Sequence, residues 1–237
     1  DGDAYKEVLT TLKNSAKDHN DPISRWRYRK SCDDRCLDPD LKGPKWSGAN
    51  WGTIWNDMAG KWVYFKKEYE VPEKVAGREI AGSYAYLFIE CEDDAYVYVN
   101  GKEIGTIHRN GEVPLTNNAQ PGDILKITMK IKSKYDLGLF RKAYVRYSKL
   151  DVLRNRTNDF IAQLESISSF MDYIKDRDKA LKLINKAASL IDIDAYMNQQ
   201  DDKYFASLDK TRDVLSELAP YFNDFDIYLV GYSHIDL

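Results

Sequence analysis

The sequence predicts an α+β chain of more than one domain: an antiparallel β-sandwich followed by a helical bundle. Three observations predict it. Between Trp51 and about Tyr147, short apolar-polar alternations lie between turn signals, the texture of an antiparallel sandwich. Within that stretch Asn100-Gly101 follows the alternating run Ala95-Tyr96-Val97-Tyr98-Val99, a strong hairpin signal because a type I′ turn needs positive φ at both central residues. Beyond Leu150 the apolar period changes to 3.6. At 237 residues the chain is about one and a half domains long by the usual ~150 residues per domain.

Taken in order, residues 1–50 read as an N-terminal helix and an irregular arm. Ala4, Val8, Leu9 and Leu12 mark one helical face, and Pro22, Pro39, Gly43 and Pro44 then break any period. Residues 51–149 read as the sandwich. Lys61 to Val71 is a strand ended by Pro72, and Tyr84 to Glu90 is a second. The hairpin strand Ala95 to Val99 returns over Ile104 to Ile107. After the turn Pro121-Gly122-Asp123, Ile124 to Ile131 is strand-like in its β-branched content. Residues 150–222 read as a helical bundle or linker. Its stripes are Leu153, Phe160, Ile161, Leu164, Ile167, Met171 and Ile174, then Leu181, Ile184, Ala188 and Ile191, then Phe205, Leu208, Leu215 and Leu218, closed by Pro220. In 223–237, Asp226 to Gly231 has the pattern of a buried strand.

Thirty-five basic and 38 acidic residues give a net charge of −3, a balance without the electrostatic footprint of a nucleic-acid binder. Arg25-Trp26-Arg27-Tyr28-Arg29-Lys30 interleaves rings and cations as a base-stacking patch would. Six such residues in an acidic chain read better as a strand whose Arg stems snorkel over buried Trp26 and Tyr28. Neither a nucleic-acid partner nor a membrane is expected, since no apolar run approaches the ~18 residues of a span. Homo-oligomerisation through the bundle stays open. Cys32 and Cys36 either close a small disulfide loop or bind metal with help from elsewhere; with the irregular N-terminus they lean toward an exported protein. Cys91 reads as a buried apolar residue, and His19 and His108 as surface or loop residues. Asp93-Asp94 and Asp201-Asp202 read as loop or cap charges.

The end of the chain, Gly231-Tyr232-Ser233-His234-Ile235-Asp236-Leu237, carries the most specific chemistry. On a strand, residues i and i+2 project to one side, so His234 and Asp236 can offer an imidazole nitrogen and a carboxylate oxygen to one ion. Zinc accepts that pair, and a catalytic zinc needs at least one further protein ligand and an open position. The segment Asp226 to Leu237, after a bundle and a sandwich, resembles the start of the catalytic domain of family 38 glycoside hydrolases, the α-mannosidases. That resemblance implies zinc as cofactor, His234 and Asp236 as two of its ligands, and α-mannoside glycans as substrates. It implies retaining hydrolysis by an attacking carboxylate, with zinc holding sugar hydroxyls. The family's remaining zinc ligands, its nucleophile and its acid/base carboxylate have no counterpart in these 237 residues. The expectation is therefore an inactive N-terminal fragment of an active enzyme, with 223–237 as the first strand of a truncated β/α catalytic domain.

The sandwich has a resemblance of its own. Tyr69-Glu70-Val71-Pro72, Ala95 to Lys102, Gly105 and Pro121-Gly122-Asp123 together look like the galactose-binding-like jelly rolls that precede many glycosidase catalytic domains. Trp46, Trp51 and Trp55 are the aromatics best spaced to stack on a sugar, although such spacing also suits rings that plug a sandwich edge. The rival reading is a carbohydrate-binding module, or a structural or interaction domain, without catalysis.

Overall fold

The computed structural model describes residues 4–15, 19–41, 43 and 46–222. They belong to two compact units, one of residues 19–154 and one of residues 4–15 with 155–222. The expected terminal strand, like His234 and Asp236, lies outside the described residues.

The first unit is an antiparallel β-sandwich. Its strands are β1 (Asp21–Pro22), β2 (Trp26–Lys30), β3 (Ser47–Ala49), β4 (Thr53–Trp55), β5 (Trp62–Glu70), β6 (Lys74–Val75) and β7 (Arg78–Glu79). They continue as β8 (Ala85–Cys91), β9 (Ala95–Val99), β10 (Lys102–Ile107), β11 (Asn110–Thr116), β12 (Ile124–Lys132) and β13 (Gly138–Tyr147). One sheet runs β10-β9-β12-β5-β2-β3; the other runs β1-β13-β8-β11 with β4 also on β13, and β6 and β7 form a separate ribbon.

Period-two burial places the core. Leu87, Ile89 and Cys91 of β8 point inward, as do Leu125, Ile127, Met129 and Ile131 of β12. On β13 the inward residues are Phe140, Ala143, Val145 and Tyr147, a spacing of three followed by twos. A register shift between Phe140 and Lys142 absorbs the odd residue, as a bulge does. Between the sheets Phe65 meets Phe140 at 5.2 Å between ring centroids, with Trp55 edge-on to Phe65 and Trp26 edge-on to Phe140. The Asn100-Gly101 turn has φ of 51° and 80°, as a type I′ hairpin requires. Asn100 Oδ1 accepts from Lys126 N at 3.0 Å, which fixes the hairpin on β12.

Strands also form upstream of Trp51: β2 falls on the run Arg25 to Lys30 that reads as a strand, while β1 and β3 lie in what reads as an irregular arm. β2 is an interior strand, paired with β5 on one side and β3 on the other. Its Trp26 is buried and its Arg27 exposed, as expected of a strand with snorkelling cations, whereas Tyr28, expected to be buried, is only half-buried, like Arg29 and Lys30. Cys32 and Cys36 are disulfide-bonded, with Cα atoms 6.2 Å apart, which decides between the two readings of that pair. Cys91 is buried as expected. His19 lies in a loop, one of its two readings, but is buried there; a single residue outside any periodic run carries no sequence signal for burial.

The second unit is helical. Its elements are α1 (Ala4–Ser15), α2 (Ser148–Phe170, whose first residues belong to the sandwich unit), α3 (Arg177–Ser189), α4 (Ile193–Met197), α5 (Asp201–Ser216) and α6 (Ala219–Phe222). α1 packs on α3, where Tyr5 N donates to Asn185 Oδ1 at 3.0 Å. The expected stripes point inward: Phe160 and Leu164 of α2, Ile184 and Ala188 of α3, and Leu208 and Leu215 of α5 are buried. Asp201 and Asp202 lie in the first turn of α5, where negative charge complements the helix dipole. Pro220 sits in the first turn of α6, where its missing N–H costs no hydrogen bond. Among the described residues no helix is long and apolar enough to cross a membrane.

Candidate functional site

The three tryptophans singled out for sugar stacking do not form one platform. Trp55 is 0% exposed and has no face to offer a ligand, which corrects its sequence-based role. The reason is strand parity: Trp55 ends β4 pointing inward, against Phe65. Trp51 is partly exposed and its Nε1 donates to the Ile23 carbonyl at 3.0 Å. Trp46 lies beside the Lys66 ammonium, 4.5 Å from ring centroid to Nζ.

Trp55 nonetheless shapes a site. Its Nε1 donates to Ser133 Oγ at 3.1 Å, and Ser133 Oγ donates to the Tyr135 carbonyl at 2.8 Å. Ser133 N donates to the Lys61 carbonyl and Gly60 N to the Ser133 carbonyl. The buried indole thus holds the turn after β12, and the Tyr135 ring projects from it 60% exposed.

Across from that turn is the β8–β9 connection. Burial pushes the Cys91 thiol up to about 12, and its Sγ donates to the Asp93 carbonyl at 2.9 Å. The tight turn presents Glu92, Asp93 and Asp94 in succession. These residues, with Tyr96, Arg109, Lys132, Lys134 and Tyr135, line a recess of about 630 Å³ at one end of the sandwich.

The acids of this recess are not equivalent. Glu92 pairs with Arg141, and Asp94 Oδ1 is 3.1 Å from His108 Nδ1. Asp93 is 6% exposed, and its Oδ2 is buried with no hydrogen-bond partner. A buried carboxylate oxygen without a donor carries a desolvation cost of about 1–3 kcal/mol or more; closed off from solvent, Asp93 Oδ2 meets a ligand hydroxyl only when the turn shifts. The Lys134 ammonium lies 5.3 Å from the Tyr135 ring centroid. An exposed ring and nearby cationic donors match a polyhydroxylated ligand with an apolar C–H face. The sequence showed Asp93-Asp94 only as loop charges and gave Tyr135 no part; only the pairing of distant turns brings them together.

Among the described residues no group of three His, Cys, Asp or Glu side chains could hold a metal ion.

No protein-family model matches this sequence, and no curated protein does. Several solved structures are similar in part. A glycosyl hydrolase family 2 member from Bacteroides cellulosilyticus aligns at 12% identity and a TM-score of 0.43, over 54% of this chain and 20% of that one. The Ruminococcus gnavus beta-glucuronidase aligns at 12% identity and a TM-score of 0.41, over 54% and 28%. The Bacteroides uniformis beta-glucuronidase aligns at 14% identity and a TM-score of 0.46, over 53% and 17%. The matched part is thus less than a third of each of those proteins, and nothing about chemistry follows from likenesses this partial.

Proposed function

We propose that this chain is the N-terminal accessory region of a zinc-dependent retaining α-mannosidase. What supports the reading is the order of its parts: a β-sandwich, then a helical unit, then Gly231 to Leu237 with its His-x-Asp pair, the succession that resembles the family 38 hydrolases. In the complete enzyme His234 and Asp236 would supply two zinc ligands, an imidazole nitrogen and a carboxylate oxygen being donors zinc accepts. The metal would supply a Lewis acid for sugar hydroxyls. The sandwich would serve the catalytic domain as a positioning and glycan-contacting module.

The test uses the full-length protein with His234→Ala and Asp236→Asn. Bound zinc is measured by elemental analysis and activity with an aryl α-mannoside. The expected result is loss of zinc and of hydrolysis in both variants. Normal zinc content with retained hydrolysis overturns the reading.

A second reading, a carbohydrate-binding module without catalysis, is favoured by the end recess, where Asp93 Oδ2 lacks a donor and Tyr135 offers an exposed ring.

A further inference from the structure

A second recess, of about 300 Å³, opens on the outer face of the six-stranded sheet and shares no lining residue with the first. Arg25, Arg27, Lys66, Lys67 and Lys126 line it, with Glu68 as the acid among them. Strand register assembles these cations from three distant stretches of sequence. Arg27 of β2 lies opposite Lys66 of β5, Lys66 lies opposite Thr128 of β12, and Glu68 lies opposite Lys126 in the next row.

Two like charges directly opposed on neighbouring strands destabilise a sheet. Here little on the protein offsets them. Among the described residues neither Arg25 nor Arg27 has an ion-pair partner. Lys126 is paired with Asp40, outside the recess lining. The Lys66 ammonium donates to the Leu41 carbonyl at 3.0 Å. Burial, and then the Arg27 charge, hold its pKa below the ordinary value, against weaker opposite pulls from Glu68, Asp38 and Asp40.

The backbone adds to the arrangement. Arg25 has a φ of 55°, left-handed and uncommon for a residue other than glycine, and its N–H is held by Asn50 Oδ1 at 2.9 Å. Backbone strain of this kind persists where surrounding structure over-determines it. The disulfide loop is tied to the sheet by Asp34 to Lys130, and the segment after it, which forms the recess rim at Pro39, by Thr128 Oγ1 to the Leu37 carbonyl and by Asp40 to Lys126. Beside Lys66 stands Trp46, half-buried, with an indole Nε1 that has no hydrogen-bond partner. A concave site with two guanidinium groups that lack ion-pair partners and the Lys66 ammonium beside them fits a tetrahedral oxyanion, and the Trp46 indole, next to Lys66 though outside the recess lining, offers an aromatic partner for a sugar that carries it.

We propose that this recess binds a sulfate or phosphate monoester of a sugar, with the oxyanion between Arg27 and Lys66 and the sugar ring against Trp46. The volume suits a monosaccharide unit, at the lower end of the ~300–1,000 Å³ of small-molecule sites. This goes beyond the glycosidase reading and does not depend on it.

Isothermal titration and Trp fluorescence with glucose 6-sulfate, glucose 6-phosphate, inorganic sulfate, inorganic phosphate and glucose test the proposal. At least one ester should bind more tightly than both glucose and its own free anion, and the tighter ester identifies the source of the anion. Arg27→Gln and Lys66→Gln should each weaken that binding by about ten- to a hundredfold, the scale of a lost charged hydrogen bond. Lys182→Gln, on the exposed side of α3, removes the same charge elsewhere and should leave binding unchanged. The ester should also raise the thermal midpoint of the wild type, at constant ionic strength, and not that of Arg27→Gln, so an altered fold is seen separately. The proposal is overturned if neither ester binds more tightly than ~1 mM, if the free anions bind as well as the esters, or if both Gln variants bind like wild type.

Discussion

Tyr69 and Tyr147 meet hydroxyl to hydroxyl at 2.6 Å in the buried part of the sandwich, and Tyr69 Oη donates to Asp21 Oδ2, also at 2.6 Å. Since the carboxylate takes the single Tyr69 proton, Tyr147 is the donor to Tyr69. The chain of three joins β1, β5 and β13 and so fastens strands of both sheets. Burial raises the Asp21 carboxyl above its ordinary 3.8, against the opposite pulls of the Tyr69 hydrogen bond and the Lys67 charge. An acid raised on folding binds its proton more tightly in the native state. Its stabilising contribution is complete below pH 3.8 and is lost as pH rises through the raised value. Asp21→Asn has nothing to titrate there. Urea midpoints followed from below pH 3.8 to neutrality should therefore show a loss of stability in wild type relative to the variant. Parallel curves would show that Asp21 does not titrate differently on folding.

Gly138 begins β13 opposite Trp55 of β4, and a Cβ built on it would come within 2.1 Å of the Trp55 indole. The ring is fully buried and packs edge-on against Phe65. Gly138→Ala should thus cost about 1–3 kcal/mol, the scale of an overpacked core. It should also disturb the bond from Trp55 to Ser133 and, through Ser133, the turn carrying Tyr135. Denaturant midpoints and near-ultraviolet circular dichroism read both effects; an unchanged midpoint would mean that the indole moves freely.

How much of this was legible in the sequence depended on the range of the signal. The hairpin at Asn100-Gly101, the strands on either side and the long helical stripes rest on local periodicity, and all are present. β11 was not legible because Pro114 interrupts it. The strand lies at a sheet edge, where the missing N–H breaks no ladder. β1, β3 and β4 are two or three residues long, too short to show a period. Both recesses escaped for another reason. Arg27, Lys66 and Lys126 are brought together by register, and Asp93 and Tyr135 by two turns, and neither relation leaves a trace in sequence spacing.

The Cys32–Cys36 bond closes a loop of only five residues, worth about 2 kcal/mol by chain entropy. Its larger consequence is local. The loop itself is held on the sheet by side chains of Tyr64 and Lys130 through Asp34, and the segment that follows by those of Lys66, Lys126 and Thr128. Replacing both cysteines with serine should speed amide exchange in residues 33–41 while the amides of β5 and β12 keep their protection. Exchange that rises equally in all three would show that the bond supports the whole sandwich rather than its rim.

At the sandwich end, Asp93 Oδ2 is the acceptor without a donor and Tyr135 the exposed ring, so two substitutions separate polar recognition from stacking. Asp93→Asn keeps the shape but replaces one carboxylate oxygen by an amide donor. Tyr135→Ala removes the ring and leaves the turn, which is held by backbone and Ser133. If the recess takes a neutral sugar, each change should weaken binding of mannose, galactose or a short glycan about tenfold or more, as a lost charged hydrogen bond or stacking face would. Asp93→Asn should also stabilise the unliganded fold slightly or leave it unchanged, because it removes a buried charge without a donor. That combination, weaker binding without weaker folding, is what a residue kept for a ligand shows. A destabilised Asp93→Asn with unaltered glycan titrations would instead assign Asp93 to the turn itself and leave Tyr135 as surface.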